Sequence, residues 1–113
     1  MASLKWTTPI QEFQDKDFDS KGSLKKSFTG SIAVYANWCG HCVDLHPIYQ
    51  QFAKKVAGFY DVGVIDESKG TKFKEAVGIK GFPTILLYKN GKKVGVYSGP
   101  RDLEHLIEEA KSG

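Results

Sequence analysis

The sequence lacks long hydrophobic runs, and no apolar segment reaches the roughly 18 residues that a membrane-spanning helix requires. The first residues, MASLKWTTPIQEFQDKDF, contain no apolar core of a signal peptide, and the last, EEAKSG, form no retention or lipidation signal. We therefore expect a soluble protein with no membrane partner. The expected compartment is the cytoplasm for the chain as it stands, or the endoplasmic reticulum lumen if the chain is one domain of a longer protein.

The sequence also lacks an excess of either charge. It contains 16 Lys and Arg against 13 Asp and Glu, a formal net charge of +3, and it has no long basic run. This balance argues against nucleic acid as a partner. With 113 residues, 41% of them hydrophobic, the chain is expected to form one globular domain over residues 1–113, large enough to bury a core. We expect that domain to be monomeric.

Internal repeats, low-complexity segments and linkers are absent, and the apolar residues alternate between strand-like and helix-like spacing. The predicted order of elements is β-α-β-α-β-α-β-β-α, which favours a mostly parallel sheet with helices on both faces. Asn90-Gly91 predicts a hairpin between the last two strands. The predicted strands lie at 9–14, 31–36, 61–66 and in two halves of 83–99, and the predicted helices lie within 17–28, 42–56, 73–77 and 103–110.

Cysteine is scarce, because only Cys39 and Cys42 are present, two residues apart in YANWCGHCVDL. A structural disulfide between them would close a very small loop and add little stability to a domain of this size. A zinc site needs about four ligands, and this pair with His41 and the distant His105 is not a convincing set, although a cluster shared between two chains stays open. A redox pair is the favoured interpretation, and no metal is expected.

The position of the pair favours thiol–disulfide chemistry. The predicted strand at 31–36 ends just before Cys39, so the Cys39 sulfur faces the first N–H groups of the next helix, which favour the thiolate. Cys42 begins the apolar stripe of that helix and is expected to point inward. A protonated His41 would stabilise the Cys39 thiolate further, so the Gly40-His41 dipeptide is predicted to make the disulfide more oxidising.

Several motifs resemble one known family. WCGHC, a proline (Pro47) five residues after Cys42, GFPT at 81–84 and YSGPRDLEHL at 97–106 are similar to the thioredoxin superfamily, and in particular to a catalytic domain of the protein disulfide isomerases. The resemblance extends from about residue 9 to 110. It implies an α/β thioredoxin fold, with a central mixed five-stranded sheet flanked by four helices. It also implies a thiol–disulfide oxidoreductase that needs no cofactor and acts on protein or peptide thiols and disulfides.

The resemblance assigns a role to each matching residue. Cys39 is implied to be the nucleophile and Cys42 the resolving cysteine. Trp38 flanks the pair, Phe82 is implied to offer its backbone to an extended substrate, and Pro83 is expected in a cis peptide bond opposite the cysteines. Arg101 matches a loop arginine that eases deprotonation of Cys42.

Two alternatives remain open at this point. One is a thioredoxin-like reductase, against which the Gly40-His41 dipeptide argues. The other is a module that binds a peptide or partner and has slow redox activity.

The chain departs from the family at two positions. The family carries a buried acid six residues before the first cysteine and a lysine partner on the next strand, but Ala33 and Val62 stand there. The acid and the lysine are both replaced by apolar residues, which is physically reasonable because either charge left alone would be buried without compensation. We predict slow deprotonation of Cys42, with His46 as a candidate substitute base. Trp6 is predicted only to cover the edge of the sheet.

Overall fold

A five-stranded mixed sheet forms the centre of the computed structural model, which describes residues 3–112. Three α-helices flank the sheet in this part of the chain, and none of them is long and apolar enough to span a membrane. The strands are β1 (Gln11–Phe13), β2 (Gly30–Tyr35), β3 (Asp61–Asp66), β4 (Thr84–Lys89) and β5 (Lys92–Val96). The helices are α1 (Gly40–Lys55), α2 (Lys72–Val77) and α3 (Leu103–Ser112), and a 3-10 turn spans Asp15–Asp17.

The sheet has the strand order β1-β3-β2-β4-β5. All six residues of the central strand β2 are buried, and β2 pairs with parallel β3 on one side and antiparallel β4 on the other. A strand covered on both faces needs apolar residues at nearly every position, which accounts for the continuous apolar run in the sequence. The predicted hairpin joins β4 to β5, and its turn residues Asn90 and Gly91 have φ of 51° and 82°.

The helix predicted within residues 17–28 is wrong. This segment forms turns, in which the Asp19 carboxylate accepts hydrogen bonds from the backbone N–H groups of Lys21 and Ser23 and Gly22 has φ of 82°. A short acidic side chain that satisfies nearby backbone groups competes with helix formation, and a glycine at positive φ ends it. Within the described residues the sheet is therefore flanked by three α-helices instead of the four expected.

Two buried clusters lie on opposite faces of the sheet. Helices α1 and α3 cover one of them, called the α1 face below, and α2 covers the other, called the α2 face. Strand β2 contributes to both, because successive side chains of a strand point to opposite faces. The α1 face includes Ala33, Tyr35, Cys42, Leu45, Tyr49, Phe52, Val62 and Leu106, and the α2 face includes Phe13, Phe18, Phe28, Ile32, Val34, Phe73, Leu86 and Tyr88.

Residues 3–8, called the N-terminal strap below, cross α1 instead of following the edge of the sheet. Trp6, which was expected at that edge, is buried on the α1 face, and its ring centroid lies 5.2 Å from that of Tyr35 and 4.6 Å from that of His46. The backbone N–H of Leu4 donates to Oδ1 of Asn37 over 2.8 Å. The strap thus contacts the loop that joins β2 to α1.

Candidate active site

Cys39 occupies the N-cap position of α1, directly after the loop that follows β2. Its Sγ accepts a hydrogen bond from the backbone N–H of Cys42 at 3.3 Å, and its own backbone N–H donates to the Ala36 carbonyl at 3.2 Å. The first N–H groups of a helix have no partner inside the helix, and they carry the positive end of its dipole. The sulfur of Cys39 therefore lies where a negative charge is stabilised.

Both cysteines are free thiols in this structure and both are buried. Cys42 is 1% exposed and Cys39 is 9% exposed, so the nucleophile candidate is less accessible than the sequence indicated. The Cys39 thiol donates to the backbone carbonyl of Phe82 at 3.5 Å, which places the loop before β4 next to the sulfur. A small window remains at Cys39, whereas Cys42 is enclosed.

The thiol of Cys42 resists deprotonation. Burial, and then the hydrogen bond with the Cys39 sulfur, raise the pKa of Cys42 to about 12, although a hydrogen bond with the Ala36 backbone and the positive charge of Arg101 act in the opposite direction. Ala33 and Val62 belong to the same buried cluster and are 0% and 3% exposed. Among the described residues this cluster contains no carboxylate that could take the proton.

The loop before β4 brings three of the predicted site residues together. The peptide bond between Phe82 and Pro83 is cis, and the hydroxyl of Thr84 donates to the Gly81 carbonyl at 2.7 Å. The ring of Phe82 packs edge-on against that of Trp38, with centroids 5.7 Å apart, and Trp38 is 58% exposed. An apolar rim with an accessible indole therefore borders the Cys39 sulfur.

Two more predicted site elements come from different parts of the fold: Arg101 lies in the loop before α3, and the Gly40-His41 dipeptide begins α1. Arg101 is exposed and lines a groove of about 220 Å³ together with Pro83. His41 is exposed on the first turn of α1, and a Cβ placed on Gly40 would meet no atom within 4 Å. The surface around Cys39 is thus open to a second chain at Gly40.

The contacts of His46 argue against its role as a substitute base. Its Nε2 lies 2.5 Å from the backbone carbonyl of Lys5, and its ring packs against Trp6. A carbonyl only accepts hydrogen bonds, so Nε2 must carry the hydrogen and donate it. His46 therefore holds the N-terminal strap.

The distant His105 lies on α3, exposed, with its Nδ1 2.7 Å from the Asp102 carboxylate. That carboxylate, as hydrogen-bond partner, raises the pKa of His105. Within residues 3–112 no three or more His, Cys, Asp or Glu side chains gather into a set suited to a metal ion.

Asn37 is a site residue that sequence reasoning missed. Its Oδ1 accepts from Leu4, its backbone N–H donates to Oγ of Ser68 at 2.8 Å, and its Nδ2 donates to Oδ2 of Asp66 at 3.0 Å. These bonds tie the loop before Trp38 to the strap and to the end of β3. An asparagine before the motif was visible in the sequence, but its partners are about 30 residues away and no local pattern identifies them.

The comparison with known families agrees with this geometry. The family model described as Thioredoxin matches residues 9–112. The chain belongs to the thioredoxin family. The predicted fold is confirmed, with three α-helices in the described residues, and membership supports thiol–disulfide exchange as the general chemistry.

The similar curated proteins are protein disulfide isomerases. The chain is 33% identical over 105 residues to protein disulfide isomerase-like 2-3 of Oryza sativa subsp. japonica. The aligned region covers 93% of this thioredoxin-family chain and 24% of the relative. The chain is 35% identical over 98 residues to a probable protein disulfide-isomerase A4 of Caenorhabditis elegans, covering 87% and 15%. The chain therefore spans a quarter or less of the length of these relatives.

Solved structures share the same fold. The J-Trx1 fragment of ERdj5 superimposes with a TM-score of 0.78 at 24% identity, over 91% of this chain and 50% of that one. A thioredoxin from Malassezia sympodialis superimposes with a TM-score of 0.73 at 23% identity, over 98% and 96% of the two chains. At these identities the likeness extends to the thioredoxin fold.

Proposed function

We propose that this domain is a thiol–disulfide oxidoreductase of the protein disulfide isomerase type, which exchanges disulfides with protein or peptide substrates. The observation that carries the proposal is the placement of Cys39 at the N-cap of α1, with its sulfur 3.3 Å from the N–H of Cys42 and 3.5 Å from the Phe82 carbonyl. One sulfur in a site that stabilises negative charge and a second, enclosed sulfur three residues later are what thiol–disulfide exchange requires.

In the reducing direction, the Cys39 thiolate attacks one sulfur of a substrate disulfide. The substrate S–S bond breaks, a mixed disulfide forms at Cys39, and the other substrate sulfur leaves as a thiolate that takes a proton from water. Cys42 then loses its proton and attacks the Cys39 sulfur, which releases the second substrate sulfur as a thiolate. The substrate gains two electrons and the protein loses two, and oxidation of a substrate dithiol is the reverse sequence.

The surroundings of the pair supply the binding roles in this proposal. The indole of Trp38 and the ring of Phe82 form an apolar rim for an extended peptide, and the backbone next to Pro83 pairs with that peptide as a short added strand. Gly40 leaves room for the substrate backbone, and His41 stabilises the Cys39 thiolate when it is protonated. The partners are protein or peptide substrates, and the active form is a monomer.

Deprotonation of Cys42 is the difficult step. With a pKa of about 12, only about one Cys42 thiol in 100,000 is ionised at neutral pH. A hydrogen bond with the Ala36 backbone and the positive charge of the Arg101 guanidinium both favour the Cys42 thiolate and lower this barrier. The proton leaves to water or to the departing substrate thiolate, since the α1 face provides no carboxylate in the described residues.

The reduction potential of the cysteine pair is the measurement that tests the proposal. Equilibration with glutathione should give a value near −180 mV or above for an isomerase or oxidase, and a value near about −270 mV would indicate a reductase instead. Insulin reduction and refolding of scrambled ribonuclease should both be catalysed. Cys39→Ser should abolish both activities, and retention of either in that variant would rule out Cys39 as the nucleophile.

A second candidate is a module that binds peptides and exchanges disulfides only slowly. The apolar pair Ala33 and Val62 in the cluster around Cys42 favours it, because in residues 3–112 that cluster contains no carboxylate to act as a base. This candidate predicts that wild type and Cys39→Ser bind an unfolded peptide equally, while wild type catalyses neither insulin reduction nor refolding. Catalysis of either reaction by the wild type contradicts it.

A further inference from the structure

A basic groove lies beside the candidate active site. It has a volume of about 550 Å³ and runs between the loop after β3, helix α2 and the segment that leads to Phe82. One acid, Glu75, also lines it, and Ile79 forms an apolar wall. We call it the lysine groove because four of its lining residues are lysines, three of them exposed: Lys69, Lys72, Lys74 and Lys80.

The lysine groove is continuous with the residues that border Cys39. The Nζ of Lys74 lies 5.4 Å from the centroid of the Phe82 ring, and the Phe82 carbonyl accepts from the Cys39 thiol. Lys80 lies two residues before Phe82, which is at most about 7 Å along an extended chain. A peptide that pairs with the backbone at Phe82 therefore passes Lys80 within two or three of its own residues.

On the other side of Pro83, acidic residues follow beyond a groove whose charged lining residue is Arg101. A separate groove there includes Arg101, and helix α3 begins just beyond it. The start and outer side of α3 are mainly acidic, and the basic residues there are Arg101 and Lys111. The acidic residues are Asp102, Glu104, Glu108 and Glu109. The two sides of the substrate-binding loop thus differ in charge although the net charge of the whole chain is small.

We infer that the lysine groove selects extended peptides with aspartate or glutamate close to the reacting cysteine. This inference rests on the proposed exchange reaction and specifies its substrate class. Each exposed lysine contributes only weakly, but several ammonium groups in one groove act together on the encounter rate and on binding. Because the lysines act on the charged side chains of the peptide, the selection acts on binding and leaves the exchange step as it is.

The test compares two short peptides that differ only in the residues flanking one cysteine, glutamates in one and lysines in the other. In each, the cysteine is capped as a mixed disulfide with uncharged 2-mercaptoethanol, and pre-reduced protein is mixed with it for a single turnover. We expect the second-order rate for the glutamate peptide to be about tenfold higher at low salt. Salt at about 0.5 M should largely remove the difference, since it screens exposed charges.

Two charge-reversal variants identify the surface responsible. Lys69→Glu/Lys72→Glu/Lys80→Glu should abolish or invert the preference between the two peptides. The matched control Lys89→Glu/Lys92→Glu/Lys93→Glu makes the same change in net charge on the β4–β5 hairpin, where Lys89 ends β4 about 17 Å from Thr84. The control should keep the preference. Equal rates for both peptides with wild type, or an equal loss in both variants, overturns the inference.

Two further measurements separate this inference from the proposed function. If wild type fails to reduce even uncharged bis(2-hydroxyethyl) disulfide, the proposed exchange reaction fails. An NMR titration with a cysteine-free glutamate peptide then measures binding in the lysine groove independently of disulfide exchange. Shifts of the Lys72, Ile79 and Lys80 amides are expected. Absence of those shifts contradicts the inference whatever the redox result.

Discussion

Both faces of the sheet bury an apolar cluster, the larger one on the α1 face, but the two clusters differ in their chemistry. The α2 face is built around phenylalanine rings that contact one another, among them Phe13 and Phe28 with centroids 5.4 Å apart, and the buried carboxyl group Glu67 lies near α2, hydrogen-bonded to Thr71. The α1 face holds Cys42 and lacks a carboxylate among the described residues. A buried acid is thus present in the domain, but not on the face where the resolving cysteine needs a base.

This difference indicates a division of labour between the faces. Both faces contribute apolar burial, but only the α1 face sets the protonation of Cys42, through burial, the hydrogen bonds with Cys39 and Ala36 and the charge of Arg101. A change confined to the α2 face should therefore lower stability and leave the chemistry of the cysteine pair in place. Three substitutions test that separation.

The largest expected effect is loss of stability from the α2 face. Phe28 is fully buried and contacts Phe13 and Tyr88, so Phe28→Ala should lower the free energy of unfolding by about 3–5 kcal/mol. Urea unfolding measures this change. The reduction potential of the cysteine pair should stay within about 30 mV of wild type, and a larger shift would show that the two faces are coupled.

The next effect concerns the missing base on the α1 face. Because the pKa of Cys42 is about 12, the rate at which Cys42 resolves a mixed disulfide should rise about tenfold per pH unit between neutral pH and pH 9. Ala33→Glu should raise the rate at neutral pH by about 100-fold and flatten this profile, since a positioned carboxylate can take the proton. Stopped-flow measurement of resolution as a function of pH tests both statements.

Ala33→Gln is the matched control for that variant, because it has nearly the same shape but no titrating group. It should keep the steep profile of the wild type. An equal acceleration in Ala33→Gln would mean that repacking, and not proton transfer, changed the rate. Urea unfolding of both variants measures how much a buried polar group at this position lowers the free energy of unfolding.

The smallest effect concerns the buried acid near α2. Burial raises the pKa of Glu67, and the Thr71 hydroxyl partly offsets this by donating to Oε2 at 2.6 Å. The folded state therefore holds this proton more tightly than the unfolded state, so the contribution of Glu67 to stability falls as pH rises above about 4.5. Glu67→Gln should stabilise the domain near pH 7.5 by up to about 1 kcal/mol, and by less near pH 5.

The exposed Glu75 on α2 provides the comparison for this prediction. Glu75→Gln removes the same charge without a buried partner, so its effect on the free energy of unfolding should be close to zero at both pH values. A stabilisation that is independent of pH in Glu67→Gln would contradict the assignment of the effect to the ionised carboxylate.

Most of the fold could be predicted from local patterns. The buried run of β2, the stripe of α1 and the Asn90-Gly91 hairpin each carry their signal within a few neighbouring residues. The segment at 17–28 failed because spaced apolar residues resemble a helix, whereas the Asp19 side chain caps turns instead. Competition between side-chain and backbone hydrogen bonds is not visible in apolar spacing.

The candidate site could be predicted only where residues lie close along the chain or match the family. The structure brings Trp38, Cys39 and Cys42 next to Phe82, Pro83 and Arg101, and the roles of these residues stay predictions. Burial of Cys39 and the bonds of Asn37 depend on contacts between distant segments, which no pattern of neighbouring residues records. The position of His46 against Trp6 belongs to the same class.

The N-terminal strap has a practical consequence for where the chain is cut. The family match begins at residue 9, so an expression boundary chosen from it would remove Leu4, Lys5 and Trp6. The shortened chain would lose the indole buried against Tyr35, the carbonyl that His46 binds and the donor to Asn37. A version of this domain intended for redox assays should therefore retain residues 3–8, because these residues hold the active-site loop and precede the family match.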